Sequence, residues 1–391
     1  MKNNSETQDK LCILVFPFKN GSFECGQSFL TQYSEILSNS IKNILIIGGN
    51  YNFENLPSNI RIINVKTPII PSQTESTFSK IFRLIFGQIF LTNAIIKNRR
   101  EFSCVNIYMW TGAIFIPSLT SRILGKELWL TLTGSPYKSS KAQFNSFVKI
   151  FSLIIWFIQE LNYFLANKIF LSGSKNMIDD LKLERYSEKL IQDIPNFLID
   201  TEKFCIQIPI GERENIIGYV GRLSSEKGVE GLIESIPLIL EKNPRVLFHI
   251  VGDGPLMPFC KRYLEEKQCL DRVVFFGWID HSLLNQYFNR MKIHILPSVT
   301  EALGGTSLEA MASGTISLVS PAGGLKDTIT DGFNGFVMEN NSPESIAKKT
   351  LEILAMKNLA EIQINAREYV VTNFSYDIVI SKWRKVLCEE I

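Results

Sequence analysis

Short apolar runs alternate with longer segments of helical period, and this rhythm restarts midway along the chain; no other feature of the sequence constrains the fold as strongly. In the first half the runs are Leu11–Phe16, Ile44–Ile47, Ile60–Val65, Val105–Trp110, Leu128–Leu132 and Ile169–Leu171. In the second half they are Ile216–Val220, Val246–Val251, Val273–Phe276, Ile293–Leu296 and Thr315–Val319. Runs this short suit strands covered on both faces, and the amphipathic stretches between them suit the covering helices. The pattern predicts an α/β fold with doubly wound parallel sheets. Its restart predicts two Rossmann-like domains, which fits 391 residues because a single core stops growing at roughly 250–300. The join is expected near Pro195 to Gly211, giving domains of residues 1–200 and 201–373. A last helix, about 374–391, is expected to pack back on the first domain. Ligands of such sheets bind outside the carboxyl ends of the strands, and the cleft between two domains is the largest such crevice.

Composition narrows the class. With 45% hydrophobic and 20% charged residues the chain reads as globular, neither disordered nor collagen-like. The net charge of +2 hides an asymmetry: residues 1–200 hold 21 Lys and Arg against 15 Asp and Glu, and residues 61–150 hold 12 against 3. An anionic partner is expected there, but the near-neutral total and the absence of recognition motifs argue against nucleic acid. The seven cysteines form no CxxC pair and no metal-ligand spacing, so reduced thiols and a cytoplasmic location are expected. No signal-peptide core is visible at the amino terminus. Two stretches approach membrane character: Ile81–Ile96, interrupted by Arg83 and Gln88, and Phe144–Phe164, interrupted by Lys149, Gln159 and Glu160. Neither supplies the roughly 18 to 20 uninterrupted apolar residues of a spanning helix. Each reads either as a core helix or as a helix lying on an anionic membrane surface, at the inner face of the plasma membrane.

The densest chemical signal follows the Ile293–Leu296 run: Pro297, Ser298, Val299, Thr300, Glu301, Ala302, Leu303, Gly304, Gly305, Thr306, Ser307, Leu308, Glu309. It reads as strand, glycine turn and helix. Gly304 and Gly305 let the backbone approach a ligand, and the free amides of a helix start favour phosphate. Glu301 is expected on the loop and Glu309 in the first helical turn. Two carboxylates would repel a diphosphate, so they are better suited to accept hydrogen bonds from sugar hydroxyls. A structural alternative is the capping box of Thr306 and Glu309, in which Glu309 only satisfies the helix start.

After the Ile216–Val220 run, Arg222 and Lys227 flank a turn within Gly221–Gly228, where a guanidinium fork and a point charge can clamp a diphosphate. The segment is not a P-loop, because Gly-Lys-Ser/Thr is missing, and two basic residues on a loop can also be merely solvated. Gly252 and Gly254 end the next strand in a sharp turn. Trp278 and Ile279 end the third, where backbone groups can bind a base, although packing explains Trp278 as well. Ser320–Gly324 forms a further loop on the same side.

These blocks, in this order, resemble glycosyltransferase family 4, the retaining enzymes of GT-B fold, over most of the chain. The family pattern of Gly-Arg with a Lys five residues on, then Gly-x-Gly, then two Glu separated by seven residues, is met by Arg222 and Lys227, by Gly252 and Gly254, and by Glu301 and Glu309. A linker motif appears as Pro195, Asn196, Asp200 and Phe204, with Phe197 replacing its glycine. The resemblance implies that Arg222 and Lys227 bind the donor diphosphate, Glu309 the ribose, and Glu301 the transferred sugar, with backbone amides at Gly304 and Gly305. It implies a UDP- or GDP-sugar donor, no metal and no other cofactor, and front-face substitution with retained configuration. It further suggests a glycan or polyprenyl-diphosphate-linked acceptor in capsule, O-antigen or exopolysaccharide synthesis. Gly26, in the first strand-to-helix turn, and Thr133 are expected on the acceptor side. Thr133 stands where the family usually carries a His that contacts the donor sugar, so this chain cannot use an acid or base there at neutral pH. That departure motivates an alternative, a catalytically inactive GT-B binding module; a sugar-nucleotide epimerase is the other.

Overall fold

Strand β1 (Lys10–Leu14) directs Leu11 and Ile13 to one core layer and Cys12 and Leu14 to another, and all four are buried. A strand without a solvent face reads as a continuous apolar run, which is why periodicity exposed it. The computed structural model describes residues 10–15, 24–49, 56–65, 77–109, 111–112, 114–132, 149–171, 176–301 and 303–389. In it, β1 is joined by β2 (Asn43–Gly48), β3 (Ile60–Asn64), β4 (Cys104–Tyr108), β5 (Glu127–Leu132), β6 (Lys168–Leu171) and β7 (Leu190–Ile191). All pair in parallel, in the order β3-β2-β1-β4-β5-β6-β7. The helices described here are α1 (Glu24–Ser38), α2 (Thr77–Asn98), α3 (Ile116–Ile123), α4 (Lys149–Leu165) and the short α5 (Asn176–Leu181). Tyr33 of α1 packs with the Leu11 layer, whereas Leu91 and Ile95 of α2 and Tyr163 of α4 pack with the Cys12 layer, so helices cover both faces of the sheet.

The second sheet repeats the plan with β8 (Ile216–Val220), β9 (Leu247–Val251), β10 (Val273–Gly277), β11 (Ile293–Leu296), β12 (Ile316–Val319) and β13 (Phe336–Val337). The order is β10-β9-β8-β11-β12-β13, again parallel. Its helices are α6 (Val229–Lys242), α7 (Met257–Glu266), α8 (Leu284–Arg290), α9 (Gly305–Ala312), α10 (Leu325–Thr328), α11 (Pro343–Leu354) and α12 (Leu359–Phe374). On α6 the residues Val229, Leu232, Ile233, Ile236 and Ile239 are fully buried, the three-and-four spacing that turns one helical face to the core. The two-residue strands β7 and β13 were not expected from the sequence, because a run of two carries no period.

Most of the chain up to Leu198, together with the residues from Val379, forms one compact unit, and Ile199–Ile378 forms the other. The last helix, α13 (Tyr376–Glu389), places Trp383 within the first unit, stacked on Phe170 and donating from Nε1 to the Pro195 carbonyl at 2.6 Å.

Of the polar interruptions in the two membrane-like stretches, Gln88 and Gln159 have structural work. Gln88 of α2 is buried and its Oε1 accepts from the backbone N–H of Phe115 and Ile116, capping α3. Gln159 is buried and donates to the Tyr163 hydroxyl one turn on. Among the described residues no helix is long and apolar enough to cross a membrane.

Candidate functional site

In the second unit the strand order reverses direction between β8 and β11, which lie side by side while their neighbours run outward from them. The loops that leave the carboxyl ends of two such strands diverge, which opens a crevice at that point. Gly221–Gly228 leaves β8 and Pro297–Gly304 leaves β11, so both densest motifs of the sequence lie at this one place.

The β8 loop is held by backbone bonds. Leu223 N–H donates to the Asp253 carbonyl at 3.0 Å, Leu256 N–H to the Leu223 carbonyl at 3.0 Å, and the Tyr219 hydroxyl to the Arg222 carbonyl at 2.7 Å. Burial, with Glu301 and Glu226 adding negative charge, holds the Tyr219 hydroxyl well above the usual phenol range, so it stays a donor. A side chain at Gly252 (φ +125°) would put its Cβ 1.9 Å from the Gly221 carbonyl, and one at Gly254 would fall 2.3 Å from that of Leu223. The Gly-x-Gly pair therefore has a packing reason here: it lets the β8 and β9 loops touch backbone to backbone. The Arg222 side chain is exposed and makes no hydrogen bond or ion pair among the described residues.

From the β11 loop, Glu301 reaches Lys227: Oε2 and Nζ are 2.6 Å apart, with the side chains 15% and 30% exposed. The hydroxyl of Ser298 donates to the same oxygen at 3.2 Å. Val299 N–H donates to the Glu226 carbonyl at 3.0 Å, and Asn341 Nδ2 and Ser320 Oγ hold the Ser298 carbonyl. The Ser320–Gly324 loop also packs here, because a Cβ on Gly323 would lie 1.8 Å from the Glu301 carbonyl.

Helix α9 begins at Gly304, whose φ of +72° and whose proximity to Leu325 leave no room for a side chain. The alternative capping box does not form. Thr306 is the second helical residue rather than the N-cap, and no side chain caps this helix. Glu309 stands in the second turn, not the first, and its Oε1 lies 2.6 Å from His281 Nε2. His281 follows β10 in a short turn capped by Asp280, which accepts from Ser282 N–H; the hydrogen bonds from Ser282, with the Lys203 charge, hold the Asp280 carboxyl below its usual range. Lys203 Nζ meets His281 Nδ1 at 2.9 Å. Nothing in the sequence pointed to His281, because a lone histidine 28 residues before Glu309 belongs to no spacing pattern.

Trp278 is 63% exposed, so packing does not account for it, and Ile279 beside it is half-buried. Gly26 lies within the first turn of α1 rather than in the turn before it. Thr133 lies outside the described residues. Of the other histidines, burial pushes His294 down to about 3 and lowers His249, so both remain neutral core rings. No group of three or more potential metal ligands occurs among the described residues.

Residues 200–369 match the family described as glycosyl transferases group 1. An uncharacterized glycosyltransferase of Methanocaldococcus jannaschii is 33% identical over 175 residues, 45% of this chain and 43% of that protein. A capsular polysaccharide biosynthesis glycosyltransferase, CapM, of Staphylococcus aureus is 27% identical over 217 residues, 52% of this chain and 49% of its own. The chain thus spans less than half the length of these two relatives. Among solved structures, sucrose-phosphate synthase from Thermosynechococcus elongatus superimposes with a TM-score of 0.75 at 17% identity over 97% of this chain and 98% of that one. Anabaena HepE in complex with UDP gives 0.73 at 16% over 97% and 99%. At these identities the likeness establishes the fold: the chain has the GT-B fold, built from two Rossmann-like units.

Proposed function

We propose that this chain is a retaining glycosyltransferase that moves a sugar from a UDP- or GDP-sugar to a glycan or polyprenyl-diphosphate-linked acceptor in surface polysaccharide synthesis. The observation that carries this reading is the Lys227–Glu301 contact at the switch point between β8 and β11, beside a loop that leaves Arg222 exposed. The match of residues 200–369 to the group 1 glycosyltransferases and the UDP complex of HepE support it. The capsular relative supports the polysaccharide setting.

In this reading Arg222 and Lys227 grip the diphosphate, and Glu301 accepts hydrogen bonds from the transferred sugar. Glu309 accepts from the ribose, the amides of Gly304, Gly305 and Thr306 face the phosphates or sugar, and Trp278 and Ile279 flank the base. Residues 201–373 hold the donor and residues 1–200 the acceptor, with Gly26 and Thr133 on that side. The acceptor hydroxyl oxygen bonds to the anomeric carbon as the bond to the phosphate oxygen breaks on the same face. The departing phosphate takes the hydroxyl proton, and the two cations stabilise the charge that develops on it. Exposed Ile89, Ile116, Ile123, Leu153, Phe157 and Phe164 on α2, α3 and α4, with Arg122 exposed and the Lys189 ammonium 5.9 Å from the Phe164 ring, support contact with an anionic membrane.

The test is turnover of UDP-, GDP- and ADP-sugars by the wild type and Arg222→Ala. One donor to a developing charge is worth on the order of 100-fold to 1,000-fold in rate, and that loss is the expected result. An Arg222→Ala enzyme at near-normal rate removes the role assigned to it.

A further inference from the structure

His281 stands between a cation and a carboxylate. Its Nδ1 faces the Lys203 ammonium at 2.9 Å, and its Nε2 faces Glu309 Oε1 at 2.6 Å. An ammonium has only protons to offer, so Nδ1 must be the acceptor, and the ring proton must sit on Nε2 and point at Glu309. The ring is braced from the side by Phe204, edge-on at 5.3 Å, and its turn is fixed by the Asp280 cap. Arg367 in turn ties the Phe204 and Thr201 carbonyls to that of Ala312, at the end of the helix that carries Glu309. The Glu309 side chain is 13% exposed, and among the described residues its Oε2 makes no hydrogen bond. One oxygen is thereby anchored and the other is left for a ligand.

We propose that His281 is a positioning residue: held in its Nε2–H tautomer by Lys203, it fixes the Glu309 carboxylate so that Oε2 meets a ribose hydroxyl of the nucleotide. The inference rests on the reading of Glu309 as the ribose acceptor. A flexible glutamate would have to be ordered by each incoming nucleotide, whereas one already bonded to His281 arrives ordered.

Calorimetric binding of UDP and GDP, and of their 2′-deoxy and 3′-deoxy forms, to the wild type, E309Q, H281A, H281Q and K203M tests this. The wild type is expected to prefer a ribonucleotide over one deoxy form. His281→Ala is expected to lower that preference about tenfold, as for a lost bond to a charged group. His281→Gln, whose amide can donate from Nε2 and accept at Oε1, should restore most of it, and Lys203→Met should fall between. General damage to the fold would weaken both nucleotide forms alike and leave their ratio unchanged. A ratio that persists in H281A while E309Q abolishes it overturns the positioning role alone. A ratio untouched by E309Q, or no nucleotide binding at all, overturns the reading of Glu309 and this inference with it.

Discussion

An ammonium and a carboxylate 2.6 Å apart on two loops, both partly solvated, contribute little to stability, because such pairs are worth roughly 0–1 kcal/mol. Their value lies in what they present. In the proposed reading, the Lys227 charge offsets that of Glu301 at the mouth of β8 and β11 and lowers the repulsion a bare carboxylate would exert on an arriving diphosphate. The buried His294 is the opposite case. Its ring is fully buried on β11, neither nitrogen has a hydrogen-bond partner among the described residues, and burial pushes its pKa down to about 3. The folded chain keeps the ring neutral, while the unfolded chain takes up a proton below about pH 6.5. The unfolded state therefore binds more protons between those values, and stability must fall as pH falls through that window, by about 1.4 kcal/mol per unit. Denaturant midpoints at pH 7 and 4.5 should show His294→Phe losing about 2.5 kcal/mol less than the wild type. Equal acid losses in the two proteins would reject the assignment.

At the scale of elements, the segment entering the second unit is tied down by a cation that has no counter-ion among the described residues. Arg213 is 5% exposed, and its guanidinium donates to the carbonyls of Ile208, Phe288, Met291 and Ser313, to Thr315 Oγ1 and to Asn289 Oδ1. Burial lowers its pKa to about 10, which still leaves it charged at pH 7. These acceptors lie on the entry segment, at the end of α8, before β11 and before β12, so one side chain joins four pieces of the unit. Arg213→Met fills the space but orphans several buried carbonyls, each costing about 1–3 kcal/mol. A destabilisation of about 3 kcal/mol or more by urea unfolding is expected, and a loss below 1 kcal/mol would show that water replaces the guanidinium. The sequence showed the strands around this hub clearly. It did not show the hub, because an arginine before an apolar run looks like any other surface cation until the sheet closes over it.

At the scale of the whole molecule, the charge asymmetry and the exposed apolar residues of α2, α3 and α4 belong to the same unit. Basic residues near an anionic surface gain about 1 kcal/mol each, and apolar side chains add to this on insertion. Flotation with anionic vesicles should carry the protein upward at low salt and release it at high salt. Protein that stays wholly in the soluble fraction at low salt would count against membrane contact and against the lipid-linked acceptor.

The sequence by itself determined the two parallel sheets, the glycine turns that end their strands, and the blocks that contain Arg222, Lys227, Glu301 and Glu309. Each of these is written in local period and spacing, which neighbouring residues fix among themselves. Only the tertiary structure decided that Lys227 meets Glu301 across 74 residues, that Glu309 bonds His281 instead of capping its own helix, and that Trp383 returns to Pro195 and Phe170. Those partners are chosen by strand order: β8 and β11 lie side by side only because two intervening strands pair outward, and no local signal encodes which distant loop will then face which.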